Sequence, residues 1–214
     1  MYLSGGQIIF NKLVKNNVKE VWMYSGGAIM SLINCFHKQN EINYYIHTHE
    51  QNLGHAATGY ARSTGKPGIC IVTSGPGITN MITPMLDAQN DSTPLIVFSG
   101  NVQLSAMGTN AFQEAPAVEL TKPFTKWSYC VKKTNELNDV LDEAFMISQE
   151  GKKGVVHIDL PKCIVSNKID YFDINKNKYN NNIKNIDNEK IDKISNVINN
   201  SQQPVLYIGQ GCNN

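Results

Sequence analysis

Three runs, PGICIVT, PLIVFSG and GVVHIDLP, are apolar almost throughout, and they restrict the fold of this chain more than any other feature. A strand with one wet face alternates apolar and polar residues. A strand apolar on both faces has to be covered on both, and parallel strands packed between helices are covered in that way. The intervening segments supply the helices. Residues 4 to 16 place Ile8, Ile9, Leu13 and Val14 on one helical face, and similar stretches run near Met30 to Lys38, Glu50 to Ser63, Ile78 to Asp91 and Leu137 to Ser148. VKEVWMY, ending at Ser25-Gly26-Gly27, and INYYIH add two further strands. Strands alternating with helices predict an α/β fold, a mostly parallel sheet with helices on both faces, over residues 1–165.

After Cys163 the character of the chain changes. Residues 166–188 are poor in large apolar side chains and read as a linker. KIDKISNVINNSQQ then has the pattern of an amphipathic helix, and PVLYIGQGCNN that of an apolar strand entering a glycine turn. Residues 189–214 are therefore expected to begin a second, incomplete α/β domain. A lone Gly-x-Gly after a strand is too weak a signal for nucleotide binding without the helix and strand that would follow.

Composition removes several classes of function. A formal net charge of +1 offers no basic face for nucleic acid or an anionic membrane. No segment approaches the roughly 20 apolar residues of a membrane helix, and the first residues have no basic start followed by a long apolar stretch. Five scattered cysteines without a Cys-x-x-Cys pair read as reduced thiols of a cytoplasmic protein. The five histidines do not make a zinc set, so no metal site is expected on this chain. Small molecules and other protein chains remain as partners.

The chemistry concentrates in THEQNLGHAATGYARSTGKPGICIVTSGPGITN, where a carboxylate, a small-residue helix, a buried strand and a glycine-proline turn follow in close succession. Glu50 stands where a strand ends and a helix starts. Such an acid can simply favour the positive end of the helix dipole. It can also serve as a proton donor and acceptor, since Leu53, Gly54, Ala56 and Ala57 offer little to solvate it and a desolvated carboxyl exchanges protons nearer neutral pH. Gly26 and Gly27 allow either a tight turn or the approach of a flat ring to the main chain. Ser74 to Gly77 can be read as a phosphate cradle ahead of a helix.

The ordered set HEQ, GYAR, TSGPG and TN resembles the pyrimidine-binding domain of the acetolactate synthase large-subunit family of thiamine-diphosphate enzymes. YSGGA at 24 to 28, DAQNDSTPLIVFSG, GTNAFQE at 108 to 114 and DLPK at 159 to 162 extend the resemblance over nearly all of residues 4 to 165. It implies that Glu50 hydrogen-bonds the ring nitrogen of the aminopyrimidine, so that the cofactor's own amino group can take the proton from the thiazolium. It implies that Gly26, Gly27 and Ala28 line the active site, that Pro76 and Asn80 hold the aminopyrimidine, that Gln113 reaches toward the cofactor, and that Phe112 shapes the pocket for a second substrate. The implied activity is decarboxylation of pyruvate and ligation to another 2-oxo acid. A 2-oxo acid decarboxylase or a catalytically silent subunit of the same fold are the alternatives.

The resemblance has gaps. Ser25, Thr48, Asn52 and Thr58 depart from the family's usual residues, and Lys152 replaces an arginine of flavin-binding members, keeping the charge but losing the planar fork. FAD is left open. Magnesium and diphosphate are held in the family by a domain with a Gly-Asp-Gly motif, which these 214 residues lack. The expectation is a front part of a longer protein, inactive alone, that works as a homodimer or higher homo-oligomer or with a separate diphosphate-binding domain.

Overall fold

The computed structural model describes residues 1–171 and 187–212. The chain divides into two units, Met1–Asp173 and Ile174–Asn214. The first opens with a short strand, β1 (Tyr2–Ser4), and closes by pairing it antiparallel with β8 (Lys168–Asp170), Leu3 opposite Ile169. Residues 168–170, inside the expected linker, are thus tied to the N-terminus. Ser4 caps helix α1 (Gly5–Lys15): its hydroxyl accepts the Gln7 N–H at 3.2 Å while the Gln7 side chain accepts the Ser4 N–H at 2.9 Å.

Six parallel strands form the main sheet: β2 (Glu20–Met23), β3 (Asn43–Ile46), β4 (Gly68–Val72), β5 (Leu95–Asn101), β6 (Trp127–Cys130) and β7 (Val155–Pro161). Their order is β3-β2-β4-β5-β7-β6, and every neighbouring pair is parallel. The helices between them are α2 (Met30–Ile33), α3 (Glu50–Thr64), α4 (Pro76–Thr79), α5 (Ile82–Asn90), α6 (Ala117–Thr121) and α7 (Leu137–Gln149), and α8 (Lys162–Ser166) follows the last strand. Alternate residues of β4 enter opposite cores. Ile69 and Ile71 pack with Leu13, Leu32 and Leu141 of α1, α2 and α7, whereas Cys70 and Val72 pack with Leu53, Met85 and Ala117 of α3, α5 and α6. Helices on both faces are why β4, β5 and β7 are buried along their whole length.

Several local expectations change. The stretch near Met30 to Lys38 is one α-helical turn followed by a 3₁₀ turn, Asn34–Phe36, because no side chain caps its start and Lys38 turns left-handed at φ 57°. Ile78 to Asp91 is two helices: Pro76 starts the first at its favoured position, and Asn80–Met81 divides them. WSYC is an edge strand only half buried, too short and mixed for the apolar pattern to reveal it.

In the second unit, α9 (Asn188–Asn199) is capped by Asp187, whose carboxylate accepts the Lys190 N–H at 3.2 Å. The strand expected over 204–208 does not form. An extended segment becomes a strand only when neighbouring backbone takes up its polar groups, and no ladder pairs these residues among those described; a single 3₁₀ turn, Gln210–Cys212, follows. Most of the expected linker, 172–186, lies outside the described residues. No described helix is long and apolar enough to cross a membrane.

Candidate functional site

Parallel strands present all their carboxyl ends to one side, and a crevice opens where neighbouring strands send their connections in opposite directions. In the order β3-β2-β4-β5-β7-β6 that point lies between β2 and β4. After β2 the chain moves outward to β3, then returns past β2 to β4, with α2 and α3 on opposite faces. The turns after β2, β3 and β4 and the loop after β5 carry Gly26–Ala28, Glu50, Pro76–Asn80 and Phe112–Gln113. The sheet topology therefore gathers onto one edge residues separated by almost ninety positions in the chain.

Glu50 begins α3 and is only 5% exposed. His49 caps the helix, its Nδ1 accepting the Gln51 N–H at 3.1 Å, so the glutamate side chain is not used as a cap. Instead, Asn80, at the end of α4, donates its Nδ2–H to Glu50 Oε2 at 2.9 Å. Oε1 has no hydrogen-bond partner among the described residues. A buried carboxyl fixed by one oxygen and open at the other is arranged to meet a further polar group.

Around it the glycines do different things. A Cβ on Gly26 would lie 2.3 Å from Thr73 Oγ1, so this turn seats directly on the end of β4. A Cβ on Gly27 would meet nothing within 4 Å, which leaves its face clear for a ring. Gly75 has φ 56° and ψ −111°, a conformation for glycine, and a Cβ there would stand 2.7 Å from the Gln113 carbonyl oxygen. The loop after β5 thus rests on the glycine-proline turn. Ala28 instead packs on β5, 2.9 Å from where a Gly100 Cβ would be. Pro76 is exposed, and Phe112, 87% exposed, stands in solvent without closing a pocket. Hollows of about 650, 580 and 460 Å³ are lined by the β1–β8 pair, by residues 39–45 and by α1 with its neighbours, so none of them is formed by these turns. The gathered residues make an open surface of this unit.

The departures from the family are mild in place. Thr58 is buried but satisfied, donating to the Gly54 carbonyl at 2.8 Å, and Ser25, Thr48, Asn52 and Lys152 are exposed. No cluster of three potential metal-ligating side chains occurs among the described residues.

Three features went unread in the sequence. The Thr73 hydroxyl is buried against Gly26 with no hydrogen-bond partner among the described residues, which a protein tolerates where a ligand completes the bond. Glu114, discussed below, organises the loop that carries Gln113. The third is a buried polar network across the ends of β5, β6 and β7. Ser99 and Asn101 donate to Asp159 at 2.7 and 2.6 Å, and His157 lies 2.8 Å from each of Ser99, Thr121 and Ser128. Burial pushes Asp159 up to about 6, against the lowering pull of those two donors, and brings His157 down to about 3. With Asp159 ionised, Ser99 spends its one proton on the carboxylate. His157 must then donate from Nε2 and accept at Nδ1, which assigns its tautomer. Asn101 and Thr121 flank residues 102–120, so the network anchors both ends of the segment that carries Gln113. Single polar letters in otherwise apolar strands, Ser99, His157 and Asp159, were the available signal.

A model of the thiamine pyrophosphate enzyme N-terminal TPP-binding domain matches residues 3–120. The chain is similar to the mitochondrial acetolactate synthase catalytic subunit of Saccharomyces cerevisiae, 42% identical over 221 residues, covering 99% of this chain and 32% of that protein. It is 38% identical over 215 residues to the chloroplastic acetolactate synthase of Arabidopsis thaliana, covering 99% and 32%. With the acetolactate synthase large subunit of Lactococcus lactis it shares 36% over 213 residues, covering 98% and 37%. The chain spans about a third of the length of these relatives.

Proposed function

Because this chain belongs to the family of thiamine pyrophosphate enzyme N-terminal TPP-binding domains, we propose that its β2–β4 crevice holds the aminopyrimidine end of thiamine diphosphate as part of an acetolactate synthase-like carboligase. The buried Glu50 carboxyl, oriented by Asn80 at 2.9 Å and open at Oε1, carries this reading. The residues fit the group: Gly27 leaves a face clear, the Thr73 hydroxyl lacks a partner, and Glu50 offers an oxygen. When bound, the cofactor supplies a thiazolium carbon that adds to a 2-oxo acid and accommodates the electron pair left by decarboxylation.

The work of the protein is to hold and move one proton. Glu50 shares it with the pyrimidine ring nitrogen, and Asn80 keeps the carboxyl aimed. Gly26, Gly27 and Ala28 shape the floor, Pro76 packs on the ring, and Gln113 reaches the cofactor from the loop. Phe112 borders the place of the second 2-oxo acid, pyruvate being the first.

Because the turns form an open surface, a second surface has to close the site. Met30, Ile46 and Phe112, each within four residues of a site turn, expose 41%, 65% and 87% of their area. We read them as facing a diphosphate-binding domain of another copy, which would bring magnesium with it, and residues 189–214 as opening a further α/β domain. Lys152, exposed and monodentate, gives FAD little hold. Reduced thiols, all five cysteines being free, favour the cytoplasm as the compartment; the relatives named mitochondrial and chloroplastic make an organelle the second reading.

The test is Glu50→Gln in the full-length protein. Glutamine keeps the shape and can still bond to the ring nitrogen, but it cannot exchange a proton. Cofactor should stay bound while proton–deuteron exchange at the thiazolium C2 slows by about 10² to 10⁴. Exchange at the wild-type rate with cofactor bound would return Glu50 to a helix-start acid.

A further inference from the structure

The loop from Gly108 to Glu114 bends through three left-handed residues, Gly108 at φ 81°, Asn110 at 57° and Gln113 at 58°. Side chains other than glycine's avoid that region, so two such residues in so short a loop need something to hold them. Glu114 does so from within. Its Oε1 accepts the Gly108 N–H at 2.5 Å, its Oε2 accepts the Ala111 N–H at 3.0 Å, and its own N–H donates to the Ala111 carbonyl at 2.9 Å. The loop is a ring of backbone donors closed on a carboxylate supplied by its own chain, where comparable concavities elsewhere take up free anions. The Gly108 N–H most of all, with the Ala111, Asn110 and Thr109 N–H groups, holds the carboxyl below the usual carboxylate range.

This matters because Gln113 immediately precedes the clamp. Its backbone packs on Gly75, whose would-be Cβ lies 2.7 Å from its carbonyl oxygen, and Gly75 begins the turn that ends in Asn80, the partner of Glu50. We propose that Glu114 is the positioning residue of the site: by gathering the N–H groups of Gly108 and Ala111 it fixes the left-handed backbone of Gln113 against the glycine-proline turn, and so sets where the Gln113 side chain meets the cofactor. The proposal rests on the reading of Gln113 given above. Glu114 itself touches no reacting atom.

Two measurements separate the clamp from its use. In this chain, amide hydrogen exchange at Gly108 and Ala111 should quicken about 10- to 100-fold in Glu114→Ala, the loss expected for hydrogen bonds to a charged group. Glu114→Gln, which retains one acceptor oxygen, should fall between. In the full-length protein, Glu114→Ala should lower turnover about 10- to 100-fold through misplacement, Glu114→Gln should recover part of it, and adding Gln113→Ala should cost little more, since both act on one group. Unchanged exchange in Glu114→Ala would overturn the clamp whatever the protein does. Turnover lost in Gln113→Ala but kept in Glu114→Ala would overturn the positioning role while sparing the proposed function. Wild-type turnover in both would overturn the proposal through the role given to Gln113.

Discussion

Asp159→Asn should make the stability of this chain less dependent on pH, by an amount that follows from the buried network. Asp159 is 1% exposed and no cation is bonded to it among the described residues, so burial outweighs the pull of its hydrogen-bond donors and of Lys132 and pushes its carboxyl from 3.8 up to about 6. Between those values the folded protein binds a proton that the unfolded chain has released. The contribution of Asp159 to stability is therefore greatest below pH 4, falls as pH rises through about 6, and is flat above. Each pKa unit corresponds to about 1.4 kcal/mol, so the ionised Asp159 costs about 3 kcal/mol at neutral pH. Asparagine abolishes this slope. The amide keeps its oxygen for the Asn101 NH₂ and turns its own NH₂ to the Ser99 hydroxyl, a rearrangement that costs at most about 1–3 kcal/mol and does not vary with pH. The assay is urea unfolding of wild type and Asp159→Asn from pH 3.5 to 8, followed by the stability difference between them, in which other carboxylates cancel. That difference should shift by about 3 kcal/mol in favour of the variant across the interval. A difference independent of pH would refute the assignment of a buried, ionisable Asp159 and, with it, the tautomer of His157.

Gly26→Ala and Gly27→Ala should separate sharply. The first drives a methyl into Thr73 and destabilises by about 1–3 kcal/mol in urea unfolding, while the second leaves stability within about 0.5 kcal/mol and weakens thiamine diphosphate binding in the full-length protein by calorimetry. Gly75→Ala, strained at φ 56° and blocked by Gln113, should cost on the order of 1–3 kcal/mol and open residues 108–114 to limited proteolysis. Lys12 is 5% exposed and bonded to Asp142 at 2.6 Å and Asn138 at 3.0 Å, joining α1 to α7. Because Asp142 is 25% exposed, Lys12→Ala should destabilise by about 1–3 kcal/mol, and a cost below about 0.5 kcal/mol would show that the pair is solvated.

By itself the sequence determined the fold class, because runs such as GICIV can be buried only between two layers of helices, and the helical spacings at Ile8, Ile9, Leu13 and Leu137, Leu141, Phe145 leave few other partners. It also placed Glu50 at the start of a helix that follows a strand, since an acid at such a junction beside small residues is legible one letter at a time. Contacts across the sheet were decided elsewhere. That Asn80 bonds to Glu50, 30 positions away, follows from the places of β3 and β4 on either side of β2 and from the break between α4 and α5, and neither has a local signature. β6 escaped because an edge strand need not be apolar, and the strand over 204–208 was expected because its letters suit one, although a strand exists only beside another. Glu114 shows the difference most plainly. In the string GTNAFQE it reads as a surface acid, and only the left-handed turns at Asn110 and Gln113, by swinging the N–H groups of Gly108 and Ala111 onto its carboxylate, make it the centre of the loop.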